Sequence, residues 1–217
     1  MAWALLFDGV NDRVGLSKHM VALSSDEWSI KFSLIKNGVQ AGAFYRFMSR
    51  GFGDNSSRII FRTNGTEFRY NSGILSELII TGLSFQLTDI FELRNTLLNG
   101  FQLLINSSVV YSQPINLPCD LGVVGENFGS YGNFGVEYID FVNTTNTANS
   151  IKLNSTGSDH SGATDQPTLK DTVGGNDATG INFSPFDPSV WVNLGGDEPT
   201  FSPFWASQAN QLISYNY

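Results

Sequence analysis

Hydrophobic and polar residues alternate along much of this chain with a period of two. In Trp28-Ser29-Ile30-Lys31-Phe32-Ser33-Leu34 the side chains of Trp28, Ile30, Phe32 and Leu34 share one face, because successive side chains of a strand point to opposite sides. Val136–Val142 repeats the pattern less cleanly. Helical spacing is almost absent, and Gly, Asn, Asp and Ser interrupt the alternation at turn-like intervals. The pattern predicts strands over residues 4–8, 13–16, 27–35, 43–49, 57–62, 67–70, 76–80, 89–94, 100–105, 108–111, 121–125 and 135–143. Strands with short gaps and no intervening helices predict an all-β, two-sheet antiparallel sandwich, with a closed barrel as the alternative.

The texture changes near Thr144. Residues 154–177 are rich in Gly, Ser, Thr and Asp, and five of the seven prolines follow residue 160. Proline fixes φ and cannot donate to a ladder, so this tail is expected to be mostly irregular. It also carries Trp191 and Trp205, two of the four tryptophans. An aromatic-rich irregular tail either wraps its own domain or docks on another chain. Phe201, Phe204 and Trp205 are the candidate docking residues. The expected division is a sandwich over residues 1–153 and an extension over 154–217.

Composition supports the β reading. The 217 residues are 41% hydrophobic and 13% aromatic, enough for a sizeable core. Only 15% are charged, and polarity is carried by Asn, Ser and Thr, whose short side chains stabilise turns. The formal charge of −8, with 12 basic residues, argues against nucleic acid and anionic membranes as partners. No apolar run is long enough to insert into a membrane. The first eight residues lack a basic region, so no secretory signal is expected.

Cys119 is the single cysteine and excludes an intrachain disulfide. A nucleophilic role would need a base, and nothing in the sequence pairs it with His19 or His160, so a small buried hydrophobe is the plainer reading.

Three stretches together resemble the concanavalin A-like, laminin-G-type jelly-roll superfamily. They are Leu5-Leu6-Phe7-Asp8-Gly9-Val10-Asn11-Asp12-Arg13-Val14, then Gly100–Asn106 leading to Val109-Val110-Tyr111, then Gly122–Asn127 with Gly135–Phe141. In the second, Ser107 stands where that family's turn usually has glycine. The resemblance spans residues 4–153 and implies two stacked antiparallel sheets, with functions among glycan binding, protein binding and glycan hydrolysis. Leu169–Gly180 and Trp205–Ile213 are similar to segments attached to such domains in tailed-bacteriophage and bacterial surface proteins. A virion or extracellular location, with other virion proteins or a host glycan as partner and a homo-oligomeric assembly, is the expectation that follows.

The residues weigh against hydrolysis. Retaining glycosidases need two carboxyls about 5–5.5 Å apart on one face. Glu137 and Asp140 are three apart, so an unbroken strand would direct them to opposite faces. A Ca²⁺ ion could be held by Asp8, Asn11, Asp12 and Asp140, which supply hard oxygens, although turn hydrogen bonds account for the same residues. Glycan binding would use exposed aromatics beside polar groups. The loop Glu126–Phe134 has that composition and offers Asn127, Phe128, Tyr131 and Asn133, with glycines that let a ligand approach. Residues 42–53 form the one basic-aromatic interleave, read as a strand with Arg46 and Arg50 on its wet side rather than as a nucleic-acid platform. The reading is a non-enzymatic virion or surface adhesion or structural protein, such as a phage tail or capsid decoration component. The alternatives are a secreted lectin-like carbohydrate-binding module and, as the outsider, a jelly-roll glycoside hydrolase.

Overall fold

A computed structural model describes residues 3–7, 12–36, 44–62, 64–73, 77–86, 88–127, 130–131, 134–154, 167–183 and 190–194. The chain is an all-β jelly-roll sandwich of antiparallel strands. One sheet runs β10 (Ser108–Gln113), β9 (Gly100–Ile105), β8 (Ile90–Thr96), β3 (Trp28–Lys36) and β14 (Phe134–Asn143). The other runs β17 (Ala178–Ile181), β2 (Arg13–Ala22), β11 (Cys119–Val124), β4 (Phe44–Gly51), β5 (Asp54–Arg62), β6 (Glu67–Ser72) and β7 (Leu78–Thr81).

β14 pairs with β3 along its length, from Phe134 opposite Lys36 to Asn143 opposite Trp28. Its other side takes β1 (Trp3–Leu6) at one end and β15 (Ile151–Asn154) at the other. β15 pairs with β16 (Thr168–Asp171), and β16 with β17, so the ladder passes from one sheet to the other. β18 (Trp191–Asn193) pairs with β1.

The alternation read in the sequence sets the core. Trp28, Ile30, Phe32 and Leu34 are all buried. The sheets interlock through aromatic rings. Phe91 of β8 lies parallel to Phe61 of β5, with centroids 5.7 Å apart and planes 5° apart. It also stacks on Phe32 at 5.3 Å and meets Phe85 edge-on at 5.2 Å. Such pairs add ~0.5–1.5 kcal/mol beyond area burial.

The crossover from β10 to β11 is pinned by buried polar groups. Trp28 Nε1 donates to the Leu117 carbonyl at 2.8 Å, and the Leu117 N–H donates to Asn95 Oδ1 at 2.9 Å. Tyr70 Oη donates to the Pro118 carbonyl at 2.6 Å.

The described part of the tail is more regular than its proline content suggests. β16, β17 and β18 all lie beyond residue 153 and join the same ladders. Phe183 and Trp191 are buried in the chain's own core, Phe183 edge-on to Phe7 at 5.4 Å. These two aromatics wrap their own domain. Phe201, Phe204 and Trp205 lie outside the described residues.

Candidate functional site

The outer face of the second sheet gathers most of the chain's arginines. Partners across an antiparallel ladder point to the same side of the sheet. Met48, Ile59 and Tyr70 form one core-facing row, and Phe61, Phe68 and Ile80 another. The positions between them therefore face outward. In register, one outward row carries Arg46, Ile60, Arg69 and Ile79; in the next, Phe44 is opposite Arg62. Ser49 and Arg58 open a third row, opposite Asn71. Bulges between Arg46 and Met48 and between Ser49 and Gly51 keep Phe47 and Met48 buried while Arg46 and Arg50 look outward.

Two guanidinium groups flank one ring: Arg62 and Arg69 lie 4.7 Å and 4.4 Å from the centroid of Phe44. Glu67 pairs with Arg62 at 3.1 Å and also with Arg69, and Glu77 pairs with Arg58 at 2.6 Å. Arg46 stands beside Arg58; burial first, and then the Arg58 charge, lower the Arg46 pKa.

A second group lies over β2 and β11. Phe52, in the β4–β5 turn, is half exposed, with the Arg13 guanidinium 4.4 Å from its centroid. Its ring rests on Gly15, where a Cβ would come within 3.2 Å of it. His19 lies over Gly122 in the same way, and a Cβ there would overlap the imidazole. His19 Nδ1 donates to Asp120 Oδ1 at 2.8 Å, and Arg50 Nε reaches Asp120 Oδ2 at 2.7 Å. Glycines at two outward positions thus let two flat rings lie against the sheet.

The loop singled out in the sequence forms a short hairpin of β12 (Glu126–Asn127) and β13 (Ser130–Tyr131). It follows Gly125, whose N–H donates to the Phe47 carbonyl at 2.9 Å. β12 consequently runs beside β4 and reaches the Phe44 and Arg46 end of the arginine face. Asn127 and Tyr131 occupy strand positions; their side chains, with Phe128 and Asn133, lie outside what is described. Beyond Arg46 and Arg50, read on the wet side of their strand, the arginine face was missed in the sequence. Its signal was there in Arg58-Ile59-Ile60-Phe61-Arg62 and Glu67-Phe68-Arg69, where the charged residues are an even number of positions apart and so share one face of a strand.

The outer face of the first sheet differs. Glu92, Lys31, Asp140 and Lys152 stand opposite one another on four successive strands, so unlike charges alternate. Burial raises the Asp140 pKa, and Lys152 and Lys31 oppose it. β14 is not the unbroken strand assumed from the sequence: its register shifts between Val136 and Tyr138. Burial, then the charges of Glu137, Asp140 and Glu92, raise the Tyr138 pKa. Asp140 nonetheless sits between two lysines, which suits neither a carboxyl dyad nor a divalent cation. Asp8 and Asn11 lie outside the described residues. Among the described residues no group of three or more His, Cys, Asp or Glu is placed to hold a metal ion. Cys119 is buried on the core side of β11, away from the outward pair of His19 and Asp120. His160 lies outside the described residues. No described helix is long and apolar enough to cross a membrane.

No family model and no curated protein matches the sequence. Solved structures align with the chain to differing extents. A proposed carbohydrate-binding protein from Bacteroides ovatus aligns with 90% of this chain at TM-score 0.57 and 8% identity, and the chain spans 61% of that protein's length. A heptameric SAP-like pentraxin from Limulus polyphemus aligns with 64% of this chain and 75% of its own, at TM-score 0.44 and 10% identity. A botulinum neurotoxin type C, whose cell entry depends on two ganglioside molecules, aligns with 52% of this chain and 31% of its own, at TM-score 0.36 and 13% identity.

Proposed function

We propose that this chain is a non-enzymatic, lectin-like carbohydrate-binding module that works outside the cell, on a virion or a bacterial surface. The observation that carries the reading is the shared fold, over nine-tenths of the chain, with the Bacteroides ovatus protein described as carbohydrate binding. The chain's own surface supports it. Sugars are bound by a flat ring against their apolar face and by a few polar groups that take up hydroxyls. Phe52 with Arg13, Arg50, Asp120 and His19 provides that combination on a rigid sheet.

The test is a glycan array probed with the full chain, followed by titration of the best ligand. Saturable binding weakened tenfold or more by Phe52→Ala supports the reading and puts the contact on the sheet face. Loss on Tyr131→Ala instead puts it on the β12–β13 hairpin. Absence of binding to every glycan class overturns the reading. Release of reducing sugar that stops in Glu137→Gln overturns its non-enzymatic part.

A further inference from the structure

We infer that the outer face of the second sheet, from β2 across β11 and β4 to β6, binds an anionic glycan, a polysaccharide bearing carboxylate or sulfate groups. The inference rests on the carbohydrate-binding reading and adds the charge of the ligand and the strands that take it.

Arg13, Arg46, Arg50, Arg58, Arg62 and Arg69 are six of the seven arginines in the chain, and all lie on this face. The described carboxylates set among them are Asp54, Asp120, Glu67 and Glu77. Among the described residues the face therefore carries more arginines than carboxylates, in a chain whose formal charge is −8. Among its described residues the first sheet, with its alternating Glu92, Lys31, Asp140 and Lys152, has no comparable excess. A local field opposed in sign to the whole molecule selects and steers an anion.

Geometry then narrows the ligand. The basic groups are arginines and not lysines, and a planar guanidinium takes a carboxylate or sulfate through two parallel hydrogen bonds. They are held in place by the sheet, by Glu67 and Glu77, and by the Phe44 and Phe52 rings. Arg46 and Arg69 flank Ile60 from the strands on either side of it, so in this row the two charges stand two strand spacings apart, about 9–10 Å, a separation that charged groups along a polymer can match. Burial and the Arg58 charge disfavour the cationic form of Arg46, and an anion bound beside it would favour that form by charge attraction. Arg62 Nε is buried without a hydrogen-bond partner. Rings beside these cations offer the apolar contact that a sugar needs and a bare inorganic anion does not.

The experiment titrates the full chain with polygalacturonate and dextran sulfate as anionic probes, and with methyl-esterified pectin and plain dextran as their neutral counterparts. Expected is saturable binding to an anionic probe at least tenfold tighter than to its neutral counterpart, weakening as salt rises. Arg46→Gln and Arg50→Gln each weaken it about tenfold and flatten the salt dependence, while Arg94→Gln, on the first sheet, leaves it unchanged. Circular dichroism and the melting temperature identify any variant that fails to fold, and the half-exposed Arg50 then carries the test. Equal affinity for charged and neutral probes, or equal effects of Arg94→Gln and Arg50→Gln, overturns this inference and leaves the carbohydrate reading standing. Failure of every charged and neutral glycan overturns both. Displacement of the polysaccharide by single-stranded DNA at matched charge concentration also overturns it, because the face would then recognise polyanions without regard to sugar.

Discussion

Asn143 Nδ2 donates to Asp26 Oδ2 at 3.0 Å, tying the end of β14 to the turn that opens β3. Asn143 is fully buried, and its Oδ1 accepts the N–H groups of Thr145 and Asn146 at 3.1 Å and 2.8 Å. In sequence Asn143-Thr144-Thr145 reads as a glycosylation triplet, yet no acceptor nitrogen can be presented from a side chain engaged on both ends inside the fold. Asn143→Ala removes one of two donors to Asp26 Oδ2, which keeps the Leu23 N–H, and leaves two turn amides without their acceptor, at a cost of about 2–4 kcal/mol. The expected result is a melting temperature lower by roughly 5–12 °C for a chain of this size. A variant that melts within a degree of the parent would refute the assignment.

The turn between β9 and β10 contains a correctable strain. Asn106 and Ser107 both have positive φ, 50° and 68°. Asn106 earns its place by accepting the Ile90 N–H through Oδ1 at 3.0 Å and donating to Asp89 at 2.8 Å. No such compensation is seen at Ser107, where the left-handed backbone costs a side-chain-bearing residue about 1 kcal/mol and a glycine none. Ser107→Gly should raise stability by about 0.5–1 kcal/mol after the entropy glycine loses on folding, read as a higher urea midpoint at unchanged slope.

Most of the first ten strands, though not β9, buried throughout, or β10, buried nowhere, were legible in the sequence for a simple reason. Their alternation is enforced by a core on one face and water on the other, as with Trp28, Ile30, Phe32 and Leu34 on β3. A boundary failed where backbone irregularity breaks the period: β2 continues to Ala22 past a register shift, whereas β14 keeps its expected bounds to within one residue although its register shifts at Val136. β16, β17 and β18 were missed because strands of three or four residues, flanked by Gly and Pro, hold too few positions to show a period. Their strand character comes from partners far away in sequence, such as Leu16 opposite Ala178. The arginine face was overlooked for another reason. Its residues are spread over β2, β4, β5 and β6, and only the ladder register brings them together.

Asp171 organises the β16–β17 turn, and its role is testable by pH. Oδ1 accepts the N–H groups of Lys152 and Val173, and Oδ2 those of Gly174 and Asn176, each at 3.0 Å. Burial pushes its pKa up, but these hydrogen bonds together outweigh burial and leave it below the ordinary value. A depressed carboxyl stabilises the fold above its unfolded pKa, near 4, and the contribution is lost as pH falls through the lower folded value. Asp171→Asn should therefore destabilise by about 1–3 kcal/mol at pH 7 and at pH 5 alike. The difference from the parent should shrink below about pH 4. Urea midpoints for both proteins at pH 7, 5 and 3 check this, and a gap that widens in acid contradicts it.

Cys119 illustrates how position on a strand decides reactivity. It faces the core of β11 with 1% exposure, while its neighbour Asp120 faces outward to Arg50 and His19. Burial, and then the Asp120 charge, drive the thiol pKa far above its usual value, and the hydrogen bond with Tyr70 only partly offsets them. The thiolate is the reactive species, so both its population and its access are suppressed while the sandwich is closed. At pH 8 an alkylating reagent should label the native chain roughly a thousandfold or more slower than an exposed thiol, since reaction must wait for opening. Full labelling at one thiol per chain is expected once guanidinium unfolds it. Rapid stoichiometric labelling without denaturant would mean that the β11 ladder is not closed over this residue, and with it that the second sheet is not the continuous surface on which the arginines are aligned.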